Sequence, residues 1–350
     1  MHRNNVSEMI LAALLLTSVL TLTFNIDTGY ALAGDTIWSI ETVDSSGDVG
    51  IGNSIALDSA GKPHISYVDD TNHYLKYAYR GATTWFTETV DNCGYIWAET
   101  SIVIDSSDKP HISYYHGEAG NLKYAYFDGS AWHTQTVDSN SLVGRYNSIA
   151  LDSGDKPHIS YYDEGNSDLK YAYFDGSEWH TETADSGGDV GRWSSLALDG
   201  TIPHISYGDY TNNDLKHAYY LGAWYKEVVD SGYSTWDTSI ALDSHNWPVI
   251  SYCGGDPNFY LKYARYSLGT WYLETADSNG DMGMWYNSLA LDGHDYPHIS
   301  YCGGDAYDSD LKYAYFDGSA WHTETVDNSG DVGKYNSIAY DNCNKPHISY

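Results

Sequence analysis

A histidine recurs at one position of a repeated phrase, Pro-His-Ile-Ser-Tyr, and histidine is both a common metal ligand and a proton carrier. The histidines of this phrase are His64, His111, His158, His204, His298 and His347. Val249 takes the position in the remaining copy. Because each histidine belongs to a different copy of the repeat, the rings lie too far apart to bind one metal ion together. We therefore predict that they are structural residues that hydrogen-bond between strands.

The repeat also places carboxylates at fixed positions. A glutamate follows the repeated tryptophan by three residues, as Glu88 follows Trp85, with Gln135 in one copy. A glycoside hydrolase needs a pair of carboxylates, or a nucleophile with its base, outside such a pattern. No carboxylate pair and no Ser/His/Asp set stands out from the repeat. The sequence therefore predicts no catalytic residues and favours a protein that is not an enzyme.

Four repeated phrases define the strands of the chain. They are Ser-Ile-Ala-Leu-Asp (A), Pro-His-Ile-Ser-Tyr (B), Leu-Lys-Tyr-Ala-Tyr (C) and a phrase that begins with tryptophan (D). Successive copies of the D phrase lie 45 to 50 residues apart. Each phrase is short, rich in β-branched and aromatic residues, and bounded by turn residues such as Asp-Gly-Ser at 128–130, which is typical of β-strands. No helical periodicity appears after residue 33. Four strands in one repeat of this length indicate a β-propeller blade.

The count of phrases predicts an all-β, seven-bladed β-propeller of four-stranded antiparallel blades over residues 34–350, with the last blade incomplete. The A, B and D phrases occur seven times and the C phrase six times. The first phrase is a D strand, Trp38–Asp44, which we expect to complete the seventh blade. The missing C strand indicates that the 350 residues are a C-terminally truncated part of a longer propeller. The alternative is that further blades follow.

Residues 1–33 have the layout of a secretory signal peptide. Arg3 precedes an apolar run over 9–24, and the small residues Ala31 and Ala33 suit cleavage after Ala33. The alternative is a membrane anchor that stays attached, but the apolar run is shorter than the roughly 20 residues that span a bilayer. We expect the mature protein to be secreted or held at the cell surface, with no membrane span after cleavage.

The repeat units resemble those of secreted bacterial and archaeal β-propeller proteins. Residues 315–321, Tyr-Phe-Asp-Gly-Ser-Ala-Trp, are similar to the Asp-box hairpin of sialidase- and lectin-type propellers, although here the Asp and the Gly are adjacent. A sialidase would also need a cluster of arginines. The arginines after residue 33 are Arg80, Arg145, Arg192 and Arg265. Only Arg145 and Arg192 share a repeat position, so the resemblance implies the propeller architecture over residues 38–350 and no particular activity.

The copies differ most in the links from each D strand to the next A strand. These links and the B–C links are predicted to lie on one face of the propeller, around the mouth of its central channel. The candidate ligand-binding residues there are Trp97, Arg145, Tyr146, Arg192, Trp193, Trp236, Trp285, Tyr286 and Tyr335. Aromatic rings can cover the C–H faces of a sugar while neighbouring polar groups bind its hydroxyls. The alternative is that these side chains only cap the blades and pack on one another.

The overall charge excludes one class of partner. Lys and Arg total 17 against 48 Asp and Glu, which gives a formal net charge of -31. A nucleic-acid-binding protein needs a basic surface, so no nucleic acid is expected. Links of the form Asp-x-x-Gly-Asp, such as residues 185–189, could bind calcium, although solvated glycine turns have the same sequence. No other cofactor is expected.

These observations favour a secreted or cell-surface, non-catalytic binding module that recognises carbohydrate or a cell-surface protein. The alternative is a purely structural or adhesive surface repeat protein. A glycan-active hydrolase or lyase is a weaker alternative, because no residues for it stand out from the repeat.

Overall fold

The computed structural model describes residues 38–94, 99–140, 142–232, 235–255, 259–279, 286–305 and 308–350. The chain divides into two compact units, Met1–Glu41 and Thr42–Tyr350. The predicted leader over 1–33 lies outside the described residues. In the ranges given above, no helix has the length and apolar character needed to cross a bilayer.

Twenty-six β-strands form seven antiparallel sheets in these ranges. The first sheet consists of β1 (Val49–Leu57), β2 (Pro63–Asp69), β3 (Tyr74–Arg80) and β4 (Trp85–Asn92). The second consists of β5 (Thr100–Ile104), β6 (Pro110–His116), β7 (Asn121–Phe127) and β8 (Trp132–Asp138). The third consists of β9 (Val143–Leu151), β10 (Pro157–Asp163), β11 (Asp168–Phe174) and β12 (Trp179–Asp185).

The remaining sheets follow in the same order along the chain. The fourth consists of β13 (Val190–Asp199), β14 (Ile202–Asp209), β15 (Asp214–Tyr220) and β16 (Trp224–Asp230). The fifth consists of β17 (Trp236–Leu242), β18 (Pro248–Gly254), β19 (Tyr260–Ser267) and β20 (Thr270–Asp277). The sixth consists of β21 (Asn287–Leu291), β22 (Pro297–Asp305), β23 (Asp308–Phe316) and β24 (Trp321–Asp327). The seventh consists of β25 (Ser337–Tyr340) and β26 (Pro346–Ser349).

Each four-stranded sheet places its A, B, C and D strands side by side in chain order. Polar side chains close the turns between them. Between A and B, Asp58 Oδ1 accepts hydrogen bonds from the backbone N–H groups of Ala60 (3.0 Å) and Lys62 (2.7 Å). Between C and D, Gly129 has a φ of 101°, which residues with a Cβ rarely adopt. The short loops therefore force antiparallel pairing of consecutive strands.

The A strands form a closed ring of seven. The serine of each A phrase accepts a hydrogen bond from the backbone of the next A strand, as Ser54 Oγ does from Ile102 N over 3.3 Å. The same bond joins every neighbouring pair of A strands. The last one, from Ile55 N to Ser337 Oγ at 3.3 Å, joins β25 to β1. The A strands are therefore the inner strands of a β-propeller, and the D strands are its outer strands.

The prediction of seven four-stranded blades is wrong in its count. Six four-stranded blades are found, and the seventh position of the ring holds the two-stranded sheet of β25 and β26. Residues 38–44, predicted as a D strand, form no strand. In the complete blades the D strand pairs with a C strand. The sheet of β25 and β26 offers no C strand within the described part of the chain, and a β-strand needs such a ladder partner.

The core lies between neighbouring blades. One cluster combines Leu122 and Tyr124 of the second blade with Ile159 and Tyr161 of the third, and all four are buried. Both faces of a blade pack in this way, which explains why its strands lack a polar face.

A largely buried ion pair also joins each of the first five blades to the segment that precedes it. Asp138 ends the D strand β8, and its Oδ2 accepts hydrogen bonds from Tyr161 OH (2.7 Å) and from Lys170 Nζ, both on the third blade. The equivalent aspartates with both partners are Asp44, Asp91, Asp185 and Asp230. These residues repeat because they hold the scaffold together.

The repeated histidines are structural, as predicted. His111 Nδ1 is hydrogen-bonded to the hydroxyl of Tyr124 on the neighbouring C strand, and His298 Nδ1 lies 2.6 Å from Tyr313 OH. The repeated glutamates also have structural partners: Glu88 accepts a hydrogen bond from Trp132 Nε1 over 2.9 Å.

Candidate ligand-binding face

One residue of each unit lies two positions before the serine of its A phrase. We call these seven residues the axial ring; they are Gly52, Glu99, Tyr146, Trp193, Asp237, Tyr286 and Tyr335. Their carbonyl groups are bound by the following unit: Asn147 Nδ2 donates to Glu99 O over 3.1 Å, and Thr238 Oγ1 donates to Trp193 O over 2.8 Å. Because the inner strands close into a ring, the axial ring lies at one end of the channel that they enclose.

The axial ring has an unusual backbone conformation. The φ angle is 51° at Tyr146 and 52° at Trp193, in the left-handed region that costs residues with a side chain about 1 kcal/mol or more. The strands are bulged there, because the pairing of β10 with β9 shifts between Ser160 and Tyr162. A bulge re-aims the side chain that it carries. The large side chains of the axial ring therefore do not follow the regular alternation of side chains between the two faces of the sheet.

Five aromatic residues of the third, fourth and fifth blades form a continuous row at this end of the channel. The ring centroids of Tyr146 and Trp193 lie 5.2 Å apart, and those of Trp193 and Trp236 lie 5.1 Å apart. Tyr162 lies 6.0 Å from Tyr146, and Tyr210 lies 6.3 Å from Trp236. We call these five residues the aromatic row. Trp193 at its centre is buried, with 8% of its surface exposed, whereas Tyr146 and Trp236 are half-buried.

Two arginines lie against the aromatic row. The guanidinium of Arg192 is 5.4 Å from the centroid of Tyr162 and 4.7 Å from that of Tyr210. It also donates two hydrogen bonds to Asp189, from Nε to Oδ1 (3.0 Å) and from Nη2 to Oδ2 (2.7 Å). Burial acts to lower the pKa of Arg192, but the hydrogen-bonded Asp189 outweighs it and raises that pKa.

Arg145 has the equivalent place on the third blade. It lies 5.4 Å from the ring centroid of Tyr146 and donates a hydrogen bond from Nη1 to Glu164 Oε2 over 3.3 Å. The row therefore carries fixed donors and acceptors at its edge, beside apolar ring surfaces.

Two carboxylates belong to the axial ring, Glu99 and Asp237. Glu99 accepts a hydrogen bond from the backbone N–H of Tyr146, and Asp237 accepts one from the backbone N–H of Asn287. Burial raises the pKa of each carboxyl group to about 7, and the charge of Glu99 contributes to the rise at Asp237. The charge at this end of the channel therefore changes near neutral pH.

Five of the predicted site residues come together in or beside the aromatic row. They are Arg145, Tyr146, Arg192, Trp193 and Trp236. Instead of lying in loops, the first two belong to β9, the next two to β13, and Trp236 begins β17. These inner strands start earlier than the A phrase, because the bulge lets the preceding residues continue the ladder.

The other predicted site residues have different positions. Tyr286 and Tyr335 precede β21 and β25 and form a pair of their own, with ring centroids 4.2 Å apart. Trp97 and Trp285 lie outside the described residues.

Sequence reasoning missed the axial carboxylates Glu99 and Asp237 and the tyrosines Tyr162 and Tyr210 of the row. The signal for the carboxylates is the position two residues before the A-phrase serine, where six copies carry six large or charged side chains and one carries Gly52. The two tyrosines follow the B phrase, and their approach to the axial ring depends on how the B–C link folds.

No protein-family model and no curated protein sequence matches the chain. Several solved structures are similar to it. The lectin of Aleuria aurantia, a six-bladed β-propeller for which fucose recognition is described, is 15% identical with a TM-score of 0.55, over 80% of this chain and 96% of that one. AofleA of Arthrobotrys oligospora is 12% identical with a TM-score of 0.56, over 82% of this chain and 90% of that one.

A third similar structure is the SapL1 lectin in complex with α-methyl fucoside. It is 12% identical with a TM-score of 0.55, over 79% of this chain and 96% of that one. At these identities the similarity establishes the β-propeller fold. The resemblance to bacterial and archaeal repeat proteins and to Asp-box hairpins stays a prediction.

Proposed function

We propose that this chain is a non-catalytic, lectin-type β-propeller that binds carbohydrate through the aromatic row. The observation that carries the proposal is the row itself, in which Tyr146, Trp193 and Trp236 stand side by side from three consecutive blades. The similar solved structures include lectins described with fucose or a fucoside, which supports the same class of ligand here.

The chemistry of the row suits a sugar. Half-buried rings such as Tyr146 and Trp236 offer apolar faces for the C–H groups of a pyranose. Arg145 and Arg192 offer N–H donors, while Glu164 and Asp189 offer carboxylate acceptors for hydroxyl groups. Because each arginine is already paired with a carboxylate, the edge of the row carries little net charge. A neutral sugar is therefore favoured over an acidic one, and fucose is the first sugar to test.

The partners of the repeated residues support a non-catalytic function. His111 is engaged by Tyr124, and Glu88 is engaged by Trp132, so neither is held ready for proton transfer to a ligand. The same reasoning bears on calcium. Asp185, the first aspartate of an Asp-x-x-Gly-Asp link, already accepts hydrogen bonds from Tyr207 (2.8 Å) and Lys216 (2.6 Å). We therefore propose that binding needs no cofactor.

The proposal also covers the localisation of the protein and the number of its blades. A signal peptide over residues 1–33 would deliver the propeller of 34–350 outside the cell or to its surface, where glycans or a cell-surface protein are the available partners. The ring of A strands has seven positions, so β25 and β26 are proposed to belong to a seventh blade.

A glycan array probed with the purified chain tests the proposal. We expect binding to a defined set of glycans, with fucosylated ones among them, and a loss of about tenfold or more in affinity for the Tyr146→Ala variant. Phe86→Ala is the matched control, because Phe86 is an exposed aromatic residue (46%) on an outer strand, away from the row. An empty array, or binding that Tyr146→Ala leaves intact, would overturn the proposal, and self-association of the protein in its place would favour the structural alternative.

A further inference from the structure

The face of the propeller opposite the axial ring carries the A–B turns and the C–D hairpins. An A strand begins beside the axial ring and ends at its A–B turn, and the C strand of the same blade runs in the same direction to its C–D hairpin. The two loops of one blade meet, because Lys109 Nζ donates a hydrogen bond to Asp128 O over 2.8 Å in the second blade. Lys156 and Asp175 O repeat this contact over 2.7 Å in the third blade. Both loops of a blade therefore contribute to one surface.

The fourth and fifth blades carry apolar residues at the corresponding places. The residue before the proline of the B phrase is lysine in four of the seven units, but it is Ile202 in the fourth blade and Trp247 in the fifth. The hairpin that carries Asp128 in the second blade carries Leu221 in the fourth blade and Leu268 in the fifth. We call Ile202, Leu221, Trp247 and Leu268 the apolar sector.

The two leucines of the apolar sector protrude into solvent. Leu221 is 57% exposed and Leu268 is 85% exposed. Leu268 also has a left-handed φ of 51°, at the place where the second blade has Gly129 with a φ of 101°. Exposure of a large apolar side chain and a left-handed backbone are both unfavourable for the chain by itself. A strained residue at a protruding tip indicates a function other than stabilising the fold.

The loops that carry the apolar sector present little charge to solvent. These loops are residues 199–202, 220–224, 243–247 and 266–270. They contain two carboxylates, Asp199 and Asp243, and neither lysine nor arginine. Asp243 Oδ1 accepts hydrogen bonds from the backbone N–H groups of His245 (2.8 Å) and Trp247 (2.9 Å). Asp199 Oδ1 accepts one from Asn246 Nδ2 over 2.9 Å, which also joins the A–B turns of the two blades.

We propose that the apolar sector is a docking surface for the zwitterionic surface of a lipid bilayer, into which Leu221 and Leu268 insert. Burial of the two leucines in the interface removes apolar surface from water. Half-buried Trp247 beside them is an amphipathic ring of the kind that lies at the level of the headgroups. The bilayer yields to separate protruding tips, whereas a second copy of the chain would bring a further formal charge of -31 against the first. The aromatic row then faces away from the bilayer.

Sedimentation with phosphatidylcholine vesicles tests the docking surface. The protein is the secreted chain without residues 1–33, which lie outside the compact unit Thr42–Tyr350 and contain an apolar run of their own. We expect the bound fraction to rise with lipid concentration to saturation. Leu268→Gly should weaken the partitioning about tenfold, because burial of one leucine contributes about that factor. Glycine is the residue of the second blade at this place and adopts a left-handed φ readily, so this variant keeps the fold.

Leu142→Gly is the matched control. Leu142 is also an exposed leucine (45%) with a left-handed φ of 59°, but it lies in a D–A link, on the face of the axial ring. Its replacement should leave vesicle binding unchanged. Absence of cosedimentation, an equal loss for both variants, binding that requires an anionic lipid, or a lipid-independent dimer that Leu268→Gly dissociates would each overturn the proposal. None of these outcomes depends on whether the aromatic row binds sugar.

Discussion

The hydroxyl of Tyr67 donates a hydrogen bond to Asp44 Oδ2 over 2.8 Å, at the point where the first blade meets the seventh position of the ring. Lys76 pairs with the same carboxylate, whose side chain is only 7% exposed. The second to fifth blades have this arrangement with an aspartate from the preceding D strand, namely Asp91, Asp138, Asp185 and Asp230. Asp44 therefore supplies, from a segment without strand structure, the contact that a seventh D strand would make.

Replacement of Asp44 by Asn is expected to destabilise the propeller. Burial acts to raise the pKa of Asp44, but the hydrogen bonds from Lys76 and Tyr67 outweigh it and hold the pKa well below its usual range. Removing one partner of a buried ion pair costs about 3 kcal/mol. Urea unfolding of Asp44→Asn at pH 7 measures the loss, and the exposed Asp48→Asn is the control. Equal stability of the two variants would show that Asp44 does not close the ring.

The same contact predicts how stability depends on acid. The pKa of Asp44 is lower in the folded chain than in the unfolded one, so its stabilisation is fully present above about pH 4 and is lost as the pH falls below that value. The difference in the free energy of unfolding between the wild type and Asp44→Asn should therefore shrink below pH 4. A difference that stays constant from pH 7 to pH 3 would contradict the ion pair.

Glu99 is expected to have the opposite effect to Asp44 on how the stability of the protein depends on pH. Its folded-state pKa is raised to about 7 by burial, against about 4.3 in an unfolded chain, so the folded state favours the protonated form. Stability from this group is present below about pH 4 and is lost as the pH rises to 7.

Glu99→Gln should therefore be more stable than the wild type at pH 8, by about 2 kcal/mol, with no comparable gain at pH 4. The exposed Glu118→Gln serves as the control. Denaturant unfolding at both pH values decides the matter, and a gain that is the same at pH 4 and pH 8 would mean that the carboxyl group of Glu99 does not titrate as described.

His204 should destabilise the protein in mild acid. Burial, together with the charge of nearby His217, lowers the pKa of His204 to about 4. The folded state therefore favours the neutral ring, and stability is lost as the pH falls from 6.5 to 4. The fifth blade has Val249 at the equivalent position, so valine is a suitable replacement. In His204→Val, the part of the stability loss between pH 6.5 and pH 4 that comes from His204 should vanish. The exposed His245→Val should retain it; identical pH profiles for both variants would argue against a buried, neutral His204.

Much of the fold could be predicted from the sequence, because each phrase carries its own signal. The serine at the position of Ser148 repeats at every A strand, followed by Ile or Leu, and the bond between this serine and the neighbouring A strand closes the ring. The contact of Asp138 with Tyr161 joins residues on different blades, so the repeat predicts that both recur but not that they meet. The segment 38–44 has the sequence of a D strand and no strand structure, since strand formation depends on a partner and not on propensity alone.

Only some members of the candidate site could be predicted from the sequence, and its geometry could not. Variation among the copies singled out Tyr146 and Trp193, but nothing in the sequence indicates a left-handed φ at a tyrosine or tryptophan. That conformation brings the two rings together at 5.2 Å. The axial Glu99 and Asp237 share the position two residues before the A-phrase serine, but nothing in the sequence shows that this position lies at the end of the channel.

Arg192→Lys is expected to weaken sugar binding by about tenfold while the charge is kept. Lysine cannot reproduce the two hydrogen bonds of the guanidinium to Asp189 or its stacking on Tyr210. Arg265→Lys is the matched control, since Arg265 also stacks on a tyrosine at 4.7 Å, on Tyr272 of an outer strand. Calorimetric titration with the best glycan compares the two variants, and an equal effect on both would show that the arginine beside the row does not contribute to the site.

A crystal structure of the chain with its best glycan tests the central claim most directly. The account predicts a sugar ring in contact with Tyr146 or Trp236, with its hydroxyl groups within hydrogen-bonding distance of Arg192, Asp189, Arg145 or Glu164. A glycan bound between outer strands or on the opposite face, with the aromatic row free of ligand, would contradict it.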